Sequence, residues 1–459
     1  MGPFRKHGFS VIEEVVSRDL CVGCGVCAGV CPNNALRMRF NRYGEYNPVY
    51  VGGGCPRSCG LCLEVCPFSA GGDNEDTMAK AIYAHEDGIS HRCETGYFLS
   101  SYAGYVIDEE GRWNSASGGL ATWFLAELLK GKVVDRVICV APEGKAGLLC
   151  KFVSLDDPED VLGSRGSFYY PVELSSIIEE IKIMGLNYGI VALPCYLKAV
   201  RMAMKRVPEM GRKVKVLAGL TCGHNVSALF AEYLCALSGG DPEKLGLARF
   251  RAKEKGRSAN DFAFLYESAN GKQSAGRIHR SEGMGEAWAR GYFKLNACNY
   301  CDDVFAELSD VVFMDAWLER YMTDPRGHNL LLVRKKEIDA IFRKGVEKGD
   351  IFLQTVAIDD VVGSQVAVLT DKREKLARRL ASGKAVKRHQ IEKRVEPVDA
   401  KWLEMMQLRL EGIITSRSKK VFLKGKGRGG IDYFKRKMSP LIFLLKAINY
   451  LLLKIEKGK

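Results

Sequence analysis

Eight of the sixteen cysteines in this 459-residue chain fall in two short runs. Cys21, Cys24, Cys27 and Cys31 follow C-x2-C-x2-C-x3-C with Pro32 next. Cys55, Cys59, Cys62 and Cys66 repeat the arrangement with Pro67 next, except that three residues separate Cys55 from Cys59. Iron in a [4Fe-4S] cluster takes soft thiolates, and this spacing lets three sulfurs of a run hold one cubane while the fourth reaches a second. Crossed ligation then assigns Cys21, Cys24, Cys27 and Cys66 to one cluster and Cys55, Cys59, Cys62 and Cys31 to the other. Gly23, Gly25, Gly29 and Gly60 permit the tight loops, and Pro32 and Pro67 fix the chain at each fourth ligand. Zinc is the alternative metal, but its sites use four ligands in two pairs. The extra residue before Cys59 could loosen one ligand or leave a three-iron form.

Four more cysteines are placed by the elements around them. Apolar runs at 133–140, 189–193, 214–220, 310–314 and 330–333 read as strands, and 119–130, 172–185, 197–206 and 227–237 read as helices. That alternation predicts an α/β body with a largely parallel sheet covered on its faces. Ligands of such sheets collect where strands end and helices begin. Cys195 and Cys222 directly follow two of the strands, and Cys298 and Cys301 precede a third. Their types allow a third metal site, a CxxC redox pair or buried free thiols. The stretch 71–76 reads as the linker that closes the N-terminal module.

Two loops suit phosphate. Ser117, Gly118 and Gly119 open the helix at 119–130, where free amides favour an anion, and Gly163, Ser164, Arg165 and Gly166 combine flexibility with a cation. An ordinary helix start and an ordinary turn are the competing readings. Asp315 ends a strand and His224 adjoins Cys222, whereas His85, His91, His279 and His328 show no ligand spacing. Cys139 and Cys235 lie in apolar segments and read as core; Cys93 and Cys150 carry no signal. The glycine run at 425–430 lacks the βαβ frame of a dinucleotide fingerprint.

The apolar fraction of 47% supplies a core, and the formal charge of +13 is uneven, since 411–459 hold thirteen basic and three acidic residues. Such a distribution predicts a basic helical tail that meets an acidic surface and does not suit a nucleic-acid enzyme. Residues 376–395 read as a basic helix and linker, 402–410 as a segment packing on the body, and 440–457 as an amphipathic helix for anionic lipid or a partner. The apolar run 441–453 is shorter than a membrane span and contains Lys446. The first fourteen residues lack the apolar run of a signal peptide, so a reducing cytoplasm is expected, with peripheral contact at the inner face of the membrane.

With these residues in view, the chain resembles the beta-subunit family of coenzyme F420 hydrogenases and dehydrogenases, with an N-terminal 2[4Fe-4S] ferredoxin domain. The resemblance rests on the double cysteine motif, on Ser117-Gly118-Gly119, Leu193-Pro194-Cys195, Gly219-Leu220-Thr221-Cys222-Gly223 and Arg249-Phe250-Arg251, and on Cys298-Asn299-Tyr300-Cys301 with Ala306 to Asp310 behind it. It implies FAD beside a third [4Fe-4S] cluster held by Cys195, Cys222, Cys298 and Cys301. Where the family often ends a strand with Gly-Asp, this chain has Met314-Asp315-Ala316-Trp317. The implied organisation is a small α+β bacterial ferredoxin-like domain at 1–75, a flavin-binding part at 80–165, a part carrying the third cluster at 166–380 and a basic helical extension at 381–459. The implied function is an oxidoreductase that passes electrons between coenzyme F420 and one-electron acceptors, alone or with a partner subunit. A ferredoxin-fed reductase of an organic or glycan-related substrate and a non-catalytic relay subunit are the alternatives.

Overall fold

The computed structural model describes residues 10–52, 54–56, 59–145, 147–268, 276–382, 392–426 and 430–457. The readings made above for residues 1–9, for 383–391 of the basic helix and linker, and for 427–429 of the glycine run lie outside the described residues.

The N-terminal module is built on a hairpin, Leu36–Phe40 paired antiparallel with Tyr46–Tyr50, and two one-turn helices, Val26–Gly29 and Leu61–Glu64. It is seated on the body through its glycines. A Cβ on Gly29 would fall 2.6 Å from Ile178 Cβ, and one on Gly25, at φ +80°, would fall 2.9 Å from the Leu174 amide nitrogen. The helix Ser175–Ile183 therefore packs directly on the cysteine loop, and the Leu174 amide donates to the Cys24 carbonyl at 2.9 Å.

The body is an eight-stranded sheet in the order Ile351–Thr355, Ser100–Val106, Asn329–Val333, Val311–Asp315, Val214–Leu220, Tyr188–Ala192, Arg136–Lys145, Leu148–Leu155. Its centre is parallel across Val311–Asp315, Val214–Leu220, Tyr188–Ala192 and Arg136–Lys145, and antiparallel strands flank it on both sides. Parallel strands buried on both faces must be apolar throughout, which is why Val-Val-Phe-Met and Tyr-Gly-Ile-Val-Ala were legible as strands. Leu120–Lys130 and Lys336–Glu347 cover one face, with Phe124 stacked on Phe342 at 5.2 Å. Ser175–Ile183 and Pro194–Arg206 cover the other, together with the N-terminal module.

A second, three-stranded antiparallel sheet, Leu245–Ala252, Ala263–Ser268 and Gly276–His279, was not expected from the sequence. It shares its core with the chain's last two helices, Trp402–Gly425 and Gly430–Lys457.

Three expectations are corrected. The C-terminal extension is helical as expected, but it is not a tail apart from the body: Leu410, Ile414, Val421, Phe422, Phe434, Met438, Leu445 and Ile448 are buried in that second core, because the two helices present their apolar positions to the body and to each other. Within 402–410, Leu408 and Leu410 pack inward while Trp402 is exposed. The final helix is also longer than the apolar run suggested. It continues through Pro440, and Gly430–Ile455 is long and apolar enough to cross a membrane by length and composition alone. Finally, the linker at 71–76 ends early, since Asn74 caps a helix at Glu75–Tyr83 whose buried Glu75 pairs with Lys198 at 3.2 Å.

Candidate functional site

Cys66 of the second N-terminal run lies with Cys21, Cys24 and Cys27 of the first. Cys21, Cys24, Cys27 and Cys66 line one small apolar cavity of about 20 Å³, closed by Val11, Val22, Met38, Val65 and Phe68. Burial pushes the Cys24 thiol up to about 12, and it pushes Cys27 well above the ordinary range, with the thiols of Cys24, Cys21 and Cys66 adding to the shift. Thiols buried as these are ionise only beside a cation, so the set suits a metal cluster better than solvent chemistry. In the other group, burial raises Cys55 and Cys62, and the thiols acting on them include Cys59 and Cys31. Among the described residues no three Cys, His, Asp or Glu side chains gather at the spacing of a single ion. A cubane holds its thiolates farther apart than one ion does.

Cys195, Cys222, Cys298 and Cys301 converge at the carboxyl edge of the parallel sheet. Cys195 sits in the first turn of Pro194–Arg206, Cys222 just past Val214–Leu220, and Cys298 and Cys301 on and after the 3-10 turn Asn296–Tyr300. Burial raises the Cys195 thiol, with Cys301, Cys222 and Cys298 as the next causes and Cys24 of the first set after them. Burial likewise pushes Cys222 up to about 12. The Asn225 amide donates to Cys298 Sγ at 3.2 Å and Lys372 Nζ to Cys301 Sγ at 3.3 Å. Tyr196, next to Cys195, donates its hydroxyl to the carbonyls of Val22 and Val172, tying this group to the first cysteine loop.

Cys222 also faces a large cavity of about 550 Å³, within the range of cofactor pockets. Ser117 and Gly119 line one end of it, where Gly119 at φ +87° starts the helix Leu120–Lys130. Gly118 has a different task. A Cβ there would lie 2.7 Å from the Gly104 carbonyl oxygen and 2.8 Å from the Asn329 amide, so only glycine lets this turn rest on the sheet. Lys253 holds the turn from the other side, donating to the carbonyls of Arg112, Ser117 and Arg326. An aromatic wall follows: His224 stacks on Trp288 at 3.9 Å, and Tyr169 lies 4.8 Å from the same indole. Asp315 accepts from Arg251 at 2.7 Å beside Trp317. Thr221 Oγ1, His224 Nε2 and Arg251 Nε are buried without a hydrogen-bond partner, and all three residues line the cavity. Buried polar atoms left open in this way fit a polar ligand. Burial, then Lys294, holds the His224 imidazole well below its ordinary pKa, so it is neutral.

Not every expected residue arrives. Gly163 ends the helix Pro158–Gly163, and the Ser164 hydroxyl donates to the Val161 carbonyl. The guanidinium of Arg165 lies beside Gly111. Only Gly166 of that loop lines the cavity. Trp288, Tyr169, Arg280 and Lys372 carried no readable signal; Arg251 was visible only as part of the Arg249-Phe250-Arg251 motif, without a role.

The comparisons with known proteins agree with this geometry. The model described as "Coenzyme F420 hydrogenase/dehydrogenase, beta subunit N-term" matches residues 101–179, and its companion for the C terminus of the same beta subunit matches 185–359, together more than half of the chain. The chain belongs to this family. Residues 20–70 match a "4Fe-4S dicluster domain". Among curated relatives of this beta-subunit family member, a coenzyme F420-dependent sulfite reductase of Methanocaldococcus jannaschii is 24% identical over 72% of this chain and 46% of its own length. An F(420)H(2) dehydrogenase subunit of Methanosarcina mazei is 24% identical over 46% of this chain and 55% of its own. The chain thus spans about half the length of these relatives. A chain of the xenon-derivatised F420-reducing [NiFe] hydrogenase complex from Methanosarcina barkeri shares the fold at TM-score 0.50 and 18% identity, over 64% of this chain and 96% of that one.

Proposed function

We propose that this chain is an iron-sulfur flavoprotein oxidoreductase that passes electrons between coenzyme F420, a two-electron hydride carrier, and one-electron acceptors. The observation that carries the reading is the double position of Cys222, which belongs to the four-cysteine group of the body and also lines the large cavity. FAD, when bound, supplies hydride exchange and its division into single electrons. Ser117 and Gly119 would hold its diphosphate at the start of Leu120–Lys130, with the turn held in place by Lys253. His224, Trp288 and Tyr169 exclude water along one wall, and neutral His224 offers Nε2 to a polar edge of the ligand. The three cysteine sets would hold [4Fe-4S] clusters, and the position of Cys24 near Cys195 supports a continuous order from the cavity through the body set to the N-terminal sets.

The relatives' names, a dehydrogenase subunit and a hydrogenase complex, support a partner oxidoreductase subunit, with ferredoxin as the alternative redox partner. The exposed side chains Phe443, Leu444, Tyr450, Leu451 and Leu453, interspersed with Lys446 and Lys454, support peripheral contact with anionic lipid on the cytoplasmic face. Anaerobically purified protein is expected to carry about twelve irons and one FAD per chain, and reduced F420 is expected to bleach the flavin. About four irons, or a flavin that only dithionite reduces, would overturn the reading.

A further inference from the structure

The chain's short π-helical turn, Thr370–Glu374, points one ammonium into the body cysteine group. Lys372 is 2% exposed, and its Nζ donates to Cys301 Sγ at 3.3 Å and to the Asp303 carbonyl at 2.6 Å. Its neighbours face elsewhere. Asp371 pairs with Lys294 at 3.0 Å and with Arg379 at 3.0 Å, and Arg373 pairs with Glu307 at 3.1 Å. Lys372 sits buried inside this π-turn while Asp371 and Arg373 on either side stay partly exposed, and such turns recur at functional sites. Among the described residues no carboxylate lies within ion-pair distance of Lys372 Nζ. A buried ammonium needs a counter-charge, and the sulfur at its Nζ is that of Cys301, with Cys222, Cys298 and the Asp303 carboxyl the next groups acting on it.

The first N-terminal set has the opposite surroundings. Among the described residues no lysine or arginine lines its cavity, and the carboxylates of Asp19 and Glu173 act on Cys21 and Cys24, while that of Glu45 is balanced by its ion pair with Lys419.

We infer that Lys372 is a potential-setting residue: its ammonium favours the more negative, reduced state of the cluster held by Cys195, Cys222, Cys298 and Cys301, and so makes that site the electron-retaining centre of the chain. This rests on the cluster assignment proposed above. A charged donor on a ligating sulfur stabilises added negative charge, so the site's reduction potential rises, while carboxylates and an apolar wall lower that of the Cys21 set. Electrons shared among the three sites would therefore rest beside the cavity and not at the N-terminal surface.

The test is an anaerobic redox titration of the full chain with dithionite as the reductant, followed by EPR, with the body signal identified as the one absent in Cys301→Ala. In the unaltered protein that signal should titrate at a higher potential than the other two. Lys372→Met should keep about twelve irons and weaken reduction of the body site at least tenfold, a fall of about 59 mV for one electron, while Lys372→Arg restores it. If the methionine variant loses iron, Lys372→Gln, which keeps a donor without the charge, gives the same reading. An unmoved body signal in a fully loaded variant, or a body site that titrates below the others in the unaltered protein, would overturn the role of Lys372 and leave the cluster assignment standing. Eight irons in the unaltered protein would instead overturn the assignment of the third cluster.

Discussion

Lys419, on the first of the two C-terminal helices, forms a buried ion pair with Glu45, in the turn of the N-terminal hairpin 374 residues away. Both side chains are less than 10% exposed. One residue earlier, Ser418 Oγ accepts from the Phe293 amide at 3.0 Å, between the three-stranded sheet and the Cys298 turn. The helix thus clamps the N-terminal module against the edge of the body that carries Cys298 and Cys301. Removing one partner of such a pair leaves a buried charge and typically costs about 3–5 kcal/mol. Glu45→Ala and Lys419→Ala should each lower the denaturation midpoint, and the double variant should lose clearly less than the sum. Additive losses in chemical denaturation would show that the two groups do not interact.

The same packing sets the outcome of truncation. Removing everything after Leu410 strips Phe422, Phe434 and Ile448 from the second core, so the shortened chain should be insoluble or lose its flavin. Phe422→Ala in the full chain should cost about 3–5 kcal/mol, measured by chemical denaturation.

At the cavity, Gly118→Ala places a methyl group against the Gly104 carbonyl and the Asn329 amide. Overpacking of this kind costs about 1–3 kcal/mol, and its strain falls on the Ser117–Gly119 turn. Flavin content after dialysis should drop while iron content holds. Equal loss of both would place the damage in the whole fold.

Cys195→Ala should remove about four irons and leave the flavin in place. Iron at the level of the unaltered protein would make this cysteine a core residue only.

For the exposed face of the last helix, Phe443→Asp with Leu451→Asp should reduce cosedimentation with anionic vesicles several-fold, because each loses apolar area at the lipid boundary. Raised salt alone should release part of the protein, since attraction by Lys446 and Lys454 is screened within about 8 Å. Unchanged binding of the double variant to vesicles would assign the contact elsewhere.

Local spacing was enough to read the two N-terminal cysteine runs as a dicluster module, since a ligand loop places its sulfurs within a few residues of each other. It was also enough for the central strands, because a parallel strand buried on both faces has to be apolar along its whole length. The start of Val214–Leu220 was legible for that reason, and the resemblance to the beta-subunit family lay in the short motifs at the strand ends. Other features depend on partners far away in the chain. The edge strand Ile351–Thr355 and its neighbour Ser100–Val106 carry mixed residues and exist because each pairs with a distant neighbour. The sequence could present Lys419 only as one more cation in a basic tail; the fold makes it a buried partner of Glu45. Lys372 looked equally ordinary, but the fold buries it inside a π-turn, which no local pattern announces, with its ammonium at Cys301. Gly163, Ser164 and Arg165 show the converse: a loop of suitable composition lies outside the cavity because Ser164 is committed to its own helix end. Charge and residue type were in the sequence, but which charges are buried, and against what, was decided by tertiary packing, because burial and pairing are properties of long-range neighbours.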